Sequence, residues 1–259
     1  WGGAALDDKN GIYFVVTGNP QPPVVGIIRP GDNKNSCSII AFDLNNKKIL
    51  WKFQDVSHDL WDYDISAPPV IANIKIEEFI IEVVIVTTKT GNTYVFDRKT
   101  GKSLFDINYK NAEKSNIPNE FTAPQQPEPS KPEKFASVEF KKEDLREVLL
   151  KDKKFMEYFE QNHIYGWFKP PAIDKEVIFY GLVGGNNWVG SAYDPETQNL
   201  YIPSNHVPAK IKVTAQSNEK ELINQYLKNH SLYMAKCASC HGATRNGKYQ
   251  EIAGYNLRQ

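Results

Sequence analysis

The sequence predicts an all-β fold built as a radial β-propeller with insertions. Two observations carry that prediction: the apolar segments are short, β-branched and aromatic, and several of them run into the same turn. The segments IYFVVTG from Ile12, SIIAFDL from Ser38, EFIIEVVIVTT from Glu78, NTYVFD from Asn92, VIFYGLV from Val177 and NLYIPS from Asn199 read as strands. The shared turns are ALDDKNG ending at Gly11, AFDLNNK at Lys47, VFDRKTG at Gly101 and AYDPETQ at Gln198. In each, an aspartate closes a strand and can accept from the backbone two residues on, and the turn's Asn, Thr or Gly suits a tight reversal. Each copy predicts a hairpin. Hairpins repeated at irregular separations fit a propeller; a β-sandwich with similar turns is the alternative.

Two stretches depart from the strand pattern. Residues 111–135, containing TAPQQPEPSKP, are polar and proline-rich and predict an extended excursion over the surface. From Lys142, KEDLREVLLKDKKFMEYFEQ places Leu145, Val148, Leu149, Phe155 and Phe159 near helical spacing, which predicts a helix packed by one face. This insertion runs from about residue 106 to 172. A second helix is expected in NEKELINQYLKNHSLYMAKC from Asn218.

Charge excludes some partners. The chain has 31 basic and 31 acidic residues, so nothing points to nucleic acid or an anionic membrane surface. There is no apolar run long enough to predict a transmembrane helix. The chain starts at Trp1, without methionine or leader, and is expected to be a piece of a longer product.

CASCHG, with Cys237, Cys240 and His241, is the most specific motif. CxxCH is the attachment signature of c-type haem: two thiols add to the porphyrin and the adjacent histidine takes the iron. A zinc half-site or a redox CxxC would need a second ligand pair or a thioredoxin-like context, and the sequence offers neither. Cys37, in a strand, reads as a small buried hydrophobe. Met156 and Met234 both precede the motif, so no methionine follows to take the other axial position. The expectation is a haem domain cut short.

HDLWDYDISAPPV, from His58, surrounds Trp61 with Asp59, Asp62 and Asp64. On residue types alone, Asp59 and Asp64 read as turn caps, with widening of a negative pocket as the alternative, Trp61 packs between blades, and a lone His58 is structural. Asp62 could be a base, a metal ligand or a solvated loop residue.

Together WGGAALDDKNGIYFVVTGNPQP, RPGDNKNSCSIIAFDL, HDLWDYDISAPPV, TTKTGNTYVFDRKTG, TAPQQPEPSKP and GGNNWVGSAYDPETQNLYIPSN resemble the pyrroloquinoline quinone (PQQ)-dependent dehydrogenases, in the branch similar to membrane-type glucose dehydrogenases. The resemblance implies part of an eight-bladed quinoprotein propeller over 1–216, followed by the start of an α-helical cytochrome c domain over 217–259. AFDLNNKKILW, with Ala41, Asp43 and Trp51, resembles the family's tryptophan-docking motif, although Asn46 and Lys47 replace its Thr-Gly. VFDRKTGKSLF keeps Thr100 and Gly101 but has Phe105 where the tryptophan would stand.

The resemblance also assigns site residues. Asp62 matches the catalytic base, which also lies at a calcium ion, and Asn19 matches a calcium ligand. Trp1 matches the residue on which the quinone stacks. Lys89 matches a cation beside the reactive carbonyl, and Asn187 with Trp188 matches a further quinone contact, for which Asn186 is the alternative amide. Without the resemblance, Asn19 is a turn residue before Pro20 and Lys89 a hairpin lysine in water. The implied reaction is oxidation of an alcohol or an aldose: Asp62 takes the hydroxyl proton, calcium polarises the quinone and the quinone accepts hydride. Electrons would pass to haem c and then to a downstream cytochrome or quinone. Covalent haem and PQQ imply the periplasm, free or against the membrane. A non-enzymatic propeller scaffold and a pure electron-transfer protein are the alternative classes.

Overall fold

The computed structural model describes residues 2–214, 228, 231–236 and 238, and the backbone of 249–252 and 255–258. The chain divides into two compact units, Trp1–Val213 and Thr214–Gln259. Among the described residues, no helix is long and apolar enough to cross a membrane.

The first unit opens with a four-stranded antiparallel meander of β1 (Ala4–Asp7), β2 (Ile12–Val16), β3 (Ser38–Asp43) and β4 (Lys48–Gln54). A three-stranded sheet follows, β5 (Val70–Ile76), β6 (Phe79–Thr87) and β7 (Thr93–Asp97). β8 (Ile107–Asn111) and β9 (Gln125–Pro129) form a ribbon. After the helices come β10 (His163–Tyr165), β11 (Glu176–Tyr180), the β12 (Ala192–Asp194) and β13 (Asn199–Tyr201) hairpin, and β14 (Pro208–Lys212), which pairs with β11.

The packing decides between propeller and sandwich. Along β6, Val84 and Val86 face Phe14, Ile39 and Ala41 of the first sheet, whereas Val83 and Ile85 face the side on which Tyr193 and Leu200 of the β12–β13 hairpin pack. The middle sheet is therefore covered on both faces, which is why FIIEVVIVT lacks polar alternation over its second half. A two-layer sandwich buries one face of each sheet. Stacking of successive sheets in chain order is the arrangement of propeller blades.

The four repeated turns behave as their sequences predict. Asp7, Asp43, Asp97 and Asp194 each accept from a backbone N–H two or three residues on, at 2.8 to 3.2 Å. Each turn ends in the left-handed region, at Gly11, Lys47, Gly101 and Gln198. Trp51 on β4 crosses to the next sheet. Its indole N–H donates to the Arg98 carbonyl at 2.9 Å, and its ring lies where a Cβ on Gly101 would come within 2.5 Å.

The insertion differs from the sequence expectation in two places. The proline-rich stretch is not purely a surface excursion: β9 lies within it, and Gln126 is buried, accepting from Ser57 N–H at 2.9 Å and donating to Ser57 O at 2.8 Å. A single polar side chain satisfies a buried backbone there, so poverty in apolar residues does not exclude burial. The expected single helix is broken into a 3-10 turn (Lys142–Asp144), α1 (Glu147–Lys151) and α2 (Lys153–Asn162). Asp152 causes the break, because its carboxylate caps α2 by accepting from Lys154 and Phe155 N–H. The shift in phase leaves Val148 70% exposed, while Phe159 is buried and Leu145, Phe155 and Met156 pack beside it against β11.

In the second unit, residues 231–236 are helical, within the second predicted helix. The backbone then forms a hairpin of β15 (Tyr249–Ile252) and β16 (Tyr255–Arg258), which a purely helical expectation did not include.

Candidate active site

Residues 55–69 connect β4 of the first sheet to β5 of the second, and the acidic stretch lies on this connection. Asp62 sits in the left-handed region at φ +64°. Tyr63 points into the core, its hydroxyl donating to the Tyr180 carbonyl at 2.7 Å, while the flanking Asp62 and Asp64 both reach Lys89.

Lys89 is carried by the turn between β6 and β7. Its ammonium donates to the Asp62 carbonyl at 3.0 Å, to Asp62 Oδ2 at 3.3 Å and to Asp64 Oδ1, using its three donors within the cluster. The Lys89 and Asp64 side chains are each 3% exposed, but that of Asp62 is 33% exposed. One expectation from residue type alone is corrected here. Lys89 is not a hairpin lysine in water, because two carboxylates compensate its burial, and Asp64 is its buried ion-pair partner. Burial raises the Asp62 carboxyl above its ordinary value; Lys89 opposes the shift and the Asp64 charge adds to it.

Both loops are braced by buried carboxylates. Asp55 accepts from the hydroxyls of Tyr94 at 2.7 Å and Thr90 at 3.1 Å, which ties down the Lys89 turn, and burial raises its carboxyl. Asp59 accepts from Trp61 N–H at 2.9 Å and Tyr63 N–H at 2.8 Å. Burial pushes its carboxyl up to about 7, against the pull of those two bonds. Asp59 is thus a turn cap as expected, though fully buried. Trp61 is buried against Tyr63 and Phe168, with its indole N–H on the Lys169 carbonyl at 2.7 Å. His58 is structural: its ring lies between Gly31 O at 2.6 Å and Glu120 Oε1 at 3.1 Å. Cys37 is fully buried, with its thiol pushed well up by burial and by Asp59.

The loop after β11 packs on the Lys89 turn. Asn186 N–H donates to Thr88 O at 3.1 Å, and Gly185, at φ +61°, lies so close that a Cβ there would come within 2.2 Å of the Lys89 carbonyl. Asn186 is buried, its amide nitrogen committed to Thr87 and Ser191 hydroxyls at 2.7 Å and its Oδ1 without a partner among the described residues. Asn187 accepts from Trp188 N–H at 2.9 Å, and Trp188 is 63% exposed. These residues, with Val183 and Asn205, line an open cavity of about 460 Å³.

Trp1, Cys237, Cys240 and His241 lie outside the described residues. Gly2, next to Trp1, packs where a Cβ would meet Ile65 O at 2.7 Å, and a Cβ on Gly190 would meet Pro68 at 2.9 Å. Gly2 and Gly190 therefore both pack against the Ile65–Pro68 segment that follows Asp62. Asn19 follows β2, and its amide nitrogen is buried with no partner among the described residues. Among those residues no three His, Cys, Asp or Glu side chains form a metal cluster. Reading residue types missed the Asp64–Lys89 pair, for which the Asp-Tyr-Asp alternation was the available signal. It also missed the Asp55 and Glu120 contacts, which join residues distant in sequence and left no signal.

The chain is 29% identical over 227 residues to the glycerol dehydrogenase large subunit of Gluconobacter oxydans (strain 621H), covering 86% of this chain and 31% of that protein. It is 28% identical over 206 residues to the quinoprotein glucose dehydrogenase of Escherichia coli (strain K12), covering 76% and 25%. The chain thus spans about a third or less of the length of these relatives. Among solved structures, the fold is similar to a quinohemoprotein alcohol dehydrogenase from Comamonas testosteroni (TM-score 0.51, 22% identity, 81% of this chain and 26% of that one). It is also similar to a europium-containing methanol dehydrogenase (TM-score 0.54, 20% identity, 84% and 31%). The model of the PQQ glucose/ethanol/alcohol dehydrogenase β-propeller domain matches residues 1–253, and with that match the chain belongs to this family.

Proposed function

We propose that the chain is part of a PQQ-dependent dehydrogenase that oxidises a CH–OH group of an alcohol or an aldose, with Asp62 as general base. The observation that carries this reading is the asymmetry of the Asp62–Lys89–Asp64 cluster. Lys89 and Asp64 are closed off, and Asp62 alone keeps a third of its side chain exposed. A carboxylate raised by burial yet open to solvent is suited to accept a hydroxyl proton. Lys89 holds its orientation from one oxygen and the backbone carbonyl, and supplies positive charge where an electron-rich ring would sit. The quinone, when bound, accepts the hydride.

The donor set suits both expected groups. Calcium takes oxygen ligands, and Asn19 has a buried amide that can turn its oxygen toward an ion, as Asp62 can present a carboxylate oxygen. These would be two ligands among about six to eight. Trp1, Lys89, Asn187 and Trp188 would hold the quinone. The named relatives act on glycerol and glucose, which supports a polyol or sugar as substrate.

The reading extends to the whole protein. Trp51 lying over Gly101 and bonded to the Arg98 carbonyl supports tryptophan docking between blades of an eight-bladed propeller. CASCHG supports haem c held by Cys237 and Cys240 with His241 on the iron, passing electrons to a cytochrome or quinone in the periplasm. Reconstituting the full-length protein with PQQ and calcium, then assaying alcohols and sugars with a dye acceptor, tests the proposal. Turnover that requires both additions is expected. Quinone binding without turnover would overturn the enzymatic reading, and no quinone binding would favour a scaffold.

A further inference from the structure

We infer that Asp59 is a positioning residue for the reaction, fixing Asp62 from both of its neighbours; this rests on Asp62 being the base. Its two carboxylate oxygens are divided between the amides on either side of Asp62: Oδ1 takes Trp61 N–H at 2.9 Å and Oδ2 takes Tyr63 N–H at 2.8 Å. Asp62 between them adopts a left-handed conformation, which is unfavourable for a non-glycine residue and persists only where its surroundings impose it. Lys89 binds Asp62 O and Oδ2 from one side, whereas Asp59 holds the amides that flank Asp62 in the chain.

Asp59 is itself held. Its carbonyl accepts from Arg29 Nη2 at 2.5 Å, and Cys37 Sγ lies 3.6 Å from Oδ2. It is fully buried, so water cannot replace the two amide contacts if one oxygen is lost. An ordinary turn cap needs one bond to one amide. Two bonds placed symmetrically about the exposed carboxylate set a direction, and direction is what proton abstraction requires.

The test is Asp59→Asn in the full-length protein, which keeps the shape and replaces one acceptor by a donor. Hydrogen exchange of the quinone-free protein should show the Trp61 and Tyr63 amides exchanging on the order of tenfold faster, with β6 unchanged. Once quinone and calcium are added, kcat per quinone-loaded molecule should fall about 10–100-fold. KM and quinone affinity should change less than about threefold, because the variant moves the base without removing binding contacts. Faster exchange with unchanged kcat would overturn the inference. So would parallel losses in kcat, KM, quinone affinity and exchange throughout the unit, the signature of a merely structural role.

If the variant takes up no quinone, Cys37→Ala provides the test. It removes the thiol from Oδ2 only, so Tyr63 should loosen more than Trp61 and kcat should fall about 3–10-fold. Unchanged exchange or unchanged kcat would overturn the inference. Asp62→Asn runs in parallel. Normal turnover in that variant would remove the base and the positioning role with it, whereas an inactive Asp62→Asn beside a normal Asp59→Asn would remove the positioning role alone.

Discussion

Replacing Lys89 with Met keeps its length and removes its charge, which separates the structural from the chemical work of the cluster. Asp64 is 3% exposed and pairs with Lys89, so the variant leaves a buried carboxylate without its cation. Breaking a buried pair this way costs about 3–5 kcal/mol. For a unit of the size of Trp1–Val213, that corresponds to a fall in Tm of about 6–20 °C. The sign with pH follows from Asp62. Its carboxyl is already raised by burial, and losing the opposing Lys89 charge raises it further. A carboxyl raised in the folded state contributes stability that is fully present below its ordinary value and is lost as pH rises through the folded value. The Tm deficit of Lys89→Met should therefore be small near pH 4 and grow toward pH 7. The double variant Asp64→Asn/Lys89→Met should recover much of the Tm at pH 7, but not the turnover. Thermal unfolding across that range, with kcat measured alongside, checks both. A deficit below about 2 °C at pH 7, or one that does not change with pH, would refute the view that Lys89 chiefly compensates buried carboxylates.

Asp62→Asn in the full-length protein should lose about 10²–10⁴-fold in kcat while binding quinone within a few-fold of wild type, measured by turnover and quinone titration. Gly185→Ala introduces a Cβ 2.2 Å from the Lys89 carbonyl at a φ of +61°, and the backbone strain alone costs about 1–2 kcal/mol. Thermal unfolding should show the loss, and kcat should fall as the Lys89 turn is displaced. Cys237→Ala/Cys240→Ala should abolish haem that survives denaturation and acid extraction. Dye-linked turnover should remain largely intact in that variant, and its disappearance in a folded protein would mean that the two modules do not act separably.

The turns were legible in the sequence because their signal is local. An aspartate and a residue able to turn left-handed within five positions of it determine a hairpin by themselves, and Lys47 and Gln198 take that conformation without being glycine. The broken helix at Asp152 was also local, but the apolar spacing on either side concealed the cap. Gln126 and Glu120 were out of reach: each satisfies a partner more than sixty positions away, Ser57 and His58. Nothing in a proline-rich stretch marks which polar residue will be buried.

The site divides the same way, and the division bears on mechanism. Asn19 and Lys89 were named only through family resemblance, and for Asp62 residue types alone left a base, a metal ligand and a solvated loop residue open. The structure supplies a physical reason for Asp62 and Lys89 that resemblance cannot: Lys89 is buried because two carboxylates make its burial tolerable, and of those two only Asp62 is open. A surface salt bridge would leave both acids open to solvent. Burying one acid and the cation leaves the other as the one group of the cluster open to solvent. On the proposed reading of Asp62 as base, the buried carboxylates Asp55 and Asp59, one beneath each loop, serve a single end, because a base is useful only while both its charge partner and its backbone hold still.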